Sequence, residues 1–312
     1  MCIKERNASD STCKKLLRDK GCFADLCNYA FFQGRQVIQP EELVSRENDL
    51  STLIGKVDKP TEIKRYRDVV RKASIHGEYV IIGVEHQSTF DEKMIFRILN
   101  YDATIYINQV ESKQEVYPVG SFVFYTGDKE WKSPETLKET LKNIPPEMEP
   151  YINDWRLPVV ELKTMDARKL TNQRLKEVVE ISQSMFAGNY DDLRNNRKIE
   201  TENFMMAATF TRTKIKREDL PEGDEINMCE AMDRLFQRFE NQGMEKGMEK
   251  GETIGIEKGK SDTLKDLLKV KLGTLSRPLE KQLTNTSLEK LNELTLNIFN
   301  VTNEEDVLRI IN

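Results

Sequence analysis

Histidine is nearly missing from this chain: His76 and His86 are the only two in 312 residues. Cysteine is sparse as well. Cys2, Cys13, Cys22, Cys27 and Cys229 fall at no zinc-pair spacing, and their odd number does not suggest a disulfide framework. Both counts argue against a Cys/His zinc site. Cys22 and Cys27 sit in an apolar helical stretch and read as core thiols. No hydrophobic run is long enough to span a membrane and no signal peptide is visible, so a reducing cytoplasm is the expected location. Net charge is −5, which argues against coating nucleic acid by bulk attraction. Any nucleic-acid binding has to come from a local patch.

One such patch is present. From Lys56 to Lys72 stand seven basic residues (Lys56, Lys59, Lys64, Arg65, Arg67, Arg71, Lys72) against the acids Asp58, Glu62 and Asp68. A solvated, charged strand edge accounts for the patch equally well.

A length of 312 residues and 38% hydrophobic content allow a full core with an appendage. Residues 1–12 are polar and read as a disordered start. An amphipathic helix is expected over 13–33, ended by Gln33-Gly34, and Pro40 opens a short acidic helix. Residues 46–63 are loop-like. Two β-rich segments follow within 64–87, broken at Ser74, His76 and Gly77, and they read as a hairpin. A long helix is expected over 91–111, a strand over 118–126, and a helix from Pro134 to the Pro145-Pro146 break. A strand over 157–163 and helices over 168–187 and 196–215 complete a domain at 13–240. The order is α/β in character, with a mixed central sheet.

Beyond this, glycine recurs every fourth residue at Gly243, Gly247, Gly251, Gly255 and Gly259. Residues 241–260 read as a helical connector, either weakly helical or joining copies of the chain through a glycine stripe. Residues 261–312 read as a small helical module built on Leu264, Leu267, Leu268, Val270, Leu272, Leu288, Leu291, Leu294, Ile298 and Phe299.

The chemistry concentrates in the hairpin. Asp68 lies in Tyr66-Arg67-Asp68-Val69-Val70, and Glu85 and Gln87 end the run Tyr79-Val80-Ile81-Ile82-Gly83-Val84-Glu85-His86-Gln87. Strand alternation puts Glu85 and Gln87 on one face and His86 on the other. Carboxylates converging at the end of a buried strand are costly unless paired or holding a cation. Oxygen ligands of this kind suit Mg²⁺ or Mn²⁺. The blander origin of such a triplet is an ordinary polar strand edge. Arg97 and Tyr101, four apart on the next helix, share a face. Asp25 and Asn28 read as cap or surface residues, with lining of the same cleft as the alternative, and Trp131 and Trp155 as loop anchors.

Five segments carry a resemblance in order: Phe23-Ala24-Asp25-Leu26-Cys27-Asn28, Arg67-Asp68-Val69-Val70, Gly83-Val84-Glu85-His86-Gln87-Ser88, Arg97 with Tyr101-Asp102, and Tyr125-Thr126-Gly127-Asp128-Lys129-Glu130-Trp131. Together they resemble the bacterial recombination-promoting nuclease (Rpn-like) group, often labelled PD-(D/E)XK nuclease family transposases. The resemblance implies a restriction-endonuclease-like core, a mixed sheet flanked by helices, and a Mg²⁺-dependent site that cuts DNA. Carried over by position, Asp68 and Glu85 are the metal-binding acids. Gln87 stands where the wider superfamily has lysine, so a hydrogen bond replaces a positive charge. Arg67 stands where a proline is usual. Arg97, braced by Tyr101, is a candidate phosphate contact alongside Arg67. Two functions remain open: a DNA endonuclease tied to recombination or mobile elements, or a nuclease-fold protein that binds DNA without cutting it.

Overall fold

The computed structural model describes residues 3–44, 69–113 and 115–311, with side chains from residue 7 onward. It divides into two compact units, 1–234 and 235–312.

The first unit opens with α1 (Ile3–Arg18) and α2 (Lys20–Phe32). One helix was expected over this stretch, starting at residue 13 after a frayed segment. Two form because Asp19 adopts an extended backbone and its carboxylate accepts the Cys22 N–H at 2.8 Å, an N-cap that restarts the helix. The first helix reaches back to Ile3, and Ser9, Cys13, Leu16 and Leu17 are buried along it.

The hairpin forms as the sequence predicts. β1 (Val69–Ile75) pairs antiparallel with β2 (Glu78–Gln87), from Ile75 opposite Glu78 to Val69 opposite Val84. Two residues make the turn, His76 and Gly77, with φ of 52° and 87°. That pair of positive angles matches the right-handed twist of the strands, and glycine takes the second at no steric cost.

From β2 the chain crosses over through α3 (Met94–Glu111) to β3 (Val119–Tyr125), which lies parallel to β2. β4 (Val159–Glu161) adds a further parallel strand, so the sheet order is β1-β2-β3-β4, mixed in direction. β4 is shorter than the expected 157–163 segment. The helix expected between Pro134 and Pro145 is a single turn, α4 (Leu137–Thr140). Its start is a capping box of Thr136 and Glu139, but Leu141 is already extended and no α4 side chain is buried. Only Leu137 packs, part-buried, against the core, too little apolar surface to sustain a longer helix.

α5 (Gln173–Ala187) starts at the Asn172 cap, and α6 (Thr201–Thr211) is framed by a ribbon that the sequence reading missed. The ribbon pairs β5 (Lys198–Glu200) with β6 (Glu225–Asn227), each only three residues long. Such lengths give too few alternations to recognise.

Both faces of the main sheet are covered. On one, Ile82, Val84, Phe122, Phe124 and Val160 pack with Leu16, Leu17, Phe23, Leu26, Val178, Val179 and Phe210 from α1, α2, α5 and α6. On the other, Val123 and Tyr125 pack with Met94, Ile95, Ile98 and Tyr101 of α3, together with Trp131 and Leu157. Trp131 is thus a core anchor, while Trp155 is half-buried. Covering on both faces explains why β2 reads as a near-continuous apolar run. This is the mixed sheet flanked by helices of a restriction-endonuclease-like core.

α7 (Met228–Leu272) carries the glycine-periodic stretch, which is helical throughout. It runs on into the second unit. There α8 (Arg277–Thr284), α9 (Leu288–Asn297) and α10 (Glu304–Ile311) close around Leu264, Leu268, Leu275, Leu279, Leu283, Leu291, Leu294, Val301 and Val307. Leu267, Val270 and Phe299, expected on the apolar side, are exposed. Among the described residues no helix is long and apolar enough to cross a membrane.

Candidate functional site

At its C-terminal end β2 turns Glu85 and Gln87 toward α3, both nearly inaccessible at 5% and 4% exposure. Their amide and carboxylate approach each other, Gln87 Nε2 to Glu85 Oε1 at 3.5 Å. A buried carboxylate needs a counter-charge. Arg97, on the first turn of α3, supplies one: its Nη2 donates to Glu85 Oε1 at 2.9 Å.

The same guanidinium is gripped on two further sides. Nη1 donates to Asp91 Oδ2 at 2.9 Å, and Nε to the Tyr101 hydroxyl at 3.2 Å. Asp91 is itself held by accepting the Lys93 N–H at 3.0 Å, where the loop turns into α3. Burial disfavours the charge on Arg97, but the bonds to Tyr101 and Asp91 and the nearby Glu85 outweigh it, so its pKa is raised. Spacing alone puts Tyr101 beside Arg97. Asp91 escaped the sequence reading, and its signal was a carboxylate six positions ahead of an arginine at a helix start.

The α3 helix is fixed to the sheet one residue further on. Asp102, 1% exposed, accepts from Ser121 Oγ on β3 at 2.6 Å. Across the sheet Gln87 is level with Tyr125 and Glu161. The Tyr125 phenol has a raised pKa, chiefly from burial and then from Glu161. Glu161 accepts the Trp131 N–H at 3.1 Å. Arg212, closing α6, donates to the Ser88 carbonyl at 2.6 Å, just past the site strand.

His86 faces the opposite side, as alternation requires. Its Nδ1 is 2.9 Å from Asp10 Oδ1 and its Nε2 2.9 Å from Thr126 Oγ1. With both ring nitrogens engaged and the residue 2% exposed, it is a satisfied core histidine.

Asp25 and Asn28 are not the surface or cap residues expected. Both are buried. Asn28 Oδ1 accepts the N–H groups of Val37 and Ile38, while its Nδ2 donates to the Ile38 carbonyl. Asp25 accepts from the backbone of Thr171 and Asn172. These two residues tie connecting loops to α2.

Asp68 and Arg67 lie outside the described residues, as do the other basic-patch members before residue 69. The two patch residues inside them have structural partners. Arg71 donates to the carbonyls of Leu17 and Arg18, both at 3.0 Å, at the end of α1. Lys72 Nζ lies 3.9 Å from the Tyr79 ring centroid and 3.7 Å from that of Tyr117.

Glu85 and Gln87 offer a carboxylate and an amide oxygen on one face, a donor chemistry that fits a hard divalent cation. Among the described residues no group of three His, Cys, Asp or Glu side chains is placed to hold a metal ion.

No significant match to a curated protein or to a solved structure was found. Residues 61–212 match the family model described as "Putative transposase, YhgA-like". The segment that builds the sheet, α3 and the Glu85–Arg97 site is therefore similar to this transposase family, in keeping with the resemblance carried by the sequence motifs.

Proposed function

We propose that the chain is a metal-dependent DNA endonuclease of the PD-(D/E)XK type, working in recombination or mobile-element biology. The observation that carries this reading is the contact of Arg97 with Glu85 beside Gln87, at the carboxyl end of β2. The carboxyl ends of strands in α/β sheets are where ligands are usually met. The family match supplies the association with transposases.

Asp68 and Glu85 are the side chains to hold Mg²⁺ or Mn²⁺. The described part of the hairpin ends at the pairing of Val69 with Val84, and Asp68 and Glu85 are the next residues in sequence on either side. A bound divalent cation would neutralise phosphate charge and acidify water. The protein's own groups do the remainder. Gln87 orients water or a phosphate oxygen through its amide. Arg97 offers a charged donor to a phosphate, with Tyr101 fixing its plane. Arg67 is the second phosphate contact.

The test is plasmid nicking with Mg²⁺ or Mn²⁺, comparing the native chain with Asp68→Asn and Glu85→Gln. Metal-dependent nicking that disappears in both variants supports the assignment. Nicking that survives both removes it.

A second reading is a nuclease-fold protein that binds DNA without cutting it. Glutamine at position 87, where the wider superfamily has lysine, favours it. Salt-sensitive DNA binding without metal-dependent cleavage would decide for it. Among the described residues the thiols of Cys22, Cys27 and Cys229 suit a reducing cytoplasm. We also assign the glycine-periodic part of α7 to self-association. Sedimentation of the chain truncated near residue 240 tests that, since loss of oligomers is expected.

A further inference from the structure

We infer that Arg97 is a resident stand-in for the divalent cation at Glu85, with Asp91 as the positioning residue that takes the guanidinium when a metal displaces it. The inference rests on the nuclease reading above and adds to it a competition between two cations for one carboxylate.

The geometry is specific. Glu85 is buried to 5% exposure, so without a metal its charge needs a partner. Arg97 provides it through one nitrogen only, Nη2 at 2.9 Å. The other nitrogens are committed elsewhere, Nη1 to Asp91 at 2.9 Å and Nε to Tyr101 at 3.2 Å. The contact with Glu85 can thus be given up while the remaining two hold the guanidinium beside the site. Glu85 side-chain exposure is 6%, against 35% for Arg97 and 31% for Asp91, so the exchange runs from a buried acid to one that water already reaches. A guanidinium released from Glu85 keeps its charge, because no side-chain base in the protein is strong enough to take its proton. It then presents Nη2 to an incoming phosphate. Metal loading and phosphate binding are coupled through one side chain.

This arrangement predicts effects of opposite sign. Arg97→Met keeps bulk and removes the competitor, so a metal should bind at least tenfold more tightly. Asp91→Asn removes the alternative acid, leaves Arg97 wholly on Glu85, and should weaken binding severalfold. A loss of packing would move both variants the same way. The double variant separates the inference from a role of Asp91 as a metal ligand. If Asp91 acts through Arg97, adding Asp91→Asn to Arg97→Met changes nothing.

The experiment is a Mn²⁺ titration of the full chain, with free ion counted by electron paramagnetic resonance. The buffer is oxygen-free and held at one pH for every variant. Circular dichroism of each variant confirms the native fold, and Arg97→Lys replaces Arg97→Met should the latter not fold, with a smaller gain expected. Tighter binding in Arg97→Met, weaker in Asp91→Asn and no added effect in the double variant support the inference. Unchanged or weaker binding in a folded Arg97→Met overturns it, as does a further loss in the double variant. Glu85→Gln marks the other failure: wild-type Mn²⁺ affinity there overturns the metal-site reading itself, whatever Arg97 does.

Discussion

Asp25 and Thr171 are 146 positions apart in sequence, yet the Asp25 carboxylate accepts the Thr171 N–H at 2.8 Å. The same group takes the Asn172 N–H at 2.9 Å and the Thr171 hydroxyl at 3.2 Å. Through it α2 holds the turn into α5. Asp25→Ala leaves buried donors without an acceptor, and charge-assisted bonds of this kind are worth about 1.5–3 kcal/mol each. We expect the first unit to lose about 3 kcal/mol in urea denaturation. A loss within experimental error would show that water satisfies the turn instead.

Gly127 makes a different demand. A methyl group there would lie 2.2 Å from the Tyr125 hydroxyl oxygen and 2.3 Å from the ring carbon bearing it. Tyr125 is itself 2% exposed and stands 5.0 Å from the Trp131 ring. Gly127→Ala should therefore destabilise by about 1–3 kcal/mol, the usual range for overpacking. It should also alter Trp131 fluorescence, since the tyrosine has to move. An unchanged emission spectrum would contradict this.

At the other end of the chain the sign of a glycine substitution reverses. A Cβ at Gly247 or Gly251 meets nothing within 4 Å, and both lie inside α7. Each replacement by alanine should favour the helix by about 1 kcal/mol. The measurement is helicity by circular dichroism on warming, in which the doubly substituted chain should hold its signal to higher temperature.

Acid should loosen the end of the second unit. Glu304 accepts from the Ser276 hydroxyl and N–H, and Asp306 from the Thr302 N–H and hydroxyl. These bonds lower both pKa values from the ordinary 4.5 and 3.8. Groups depressed in the folded state stabilise it above those ordinary values, and that stabilisation is lost as pH falls through the folded ones. Hydrogen exchange along α10 should consequently accelerate, after correction for intrinsic rates, as pH drops below the ordinary values. Glu304→Gln should flatten that dependence.

The hairpin, α3 and the burial of Glu85 and Gln87 were legible because β2 carries an unbroken apolar run and the His76-Gly77 turn announces itself. The pairing of Arg97 with Tyr101 follows from helical spacing. What sequence could not convey was the destination of the arginine, since its contact with Glu85 spans the β2–α3 connection and depends on how Asp91 folds that connection back. The β5–β6 ribbon was hidden by its length. Asp25 and Asn28 look like surface residues because their partners lie in loops, and loop contacts leave no periodic trace. The exposed Val270 and Phe299 show the limit of counting apolar residues, as a helix with surplus leucines can bury only the side that meets its neighbours.

The open surroundings of the glycines in α7 also bear on how the chain comes apart. Five backbone positions without side chains lower the helix-forming tendency of that stretch by about 4–5 kcal/mol relative to alanine. Such a segment works as a weak link in a cooperative transition: damage on one side has to cross a stretch with little binding energy of its own before reaching the other. The chain should melt in two steps, each belonging to one unit.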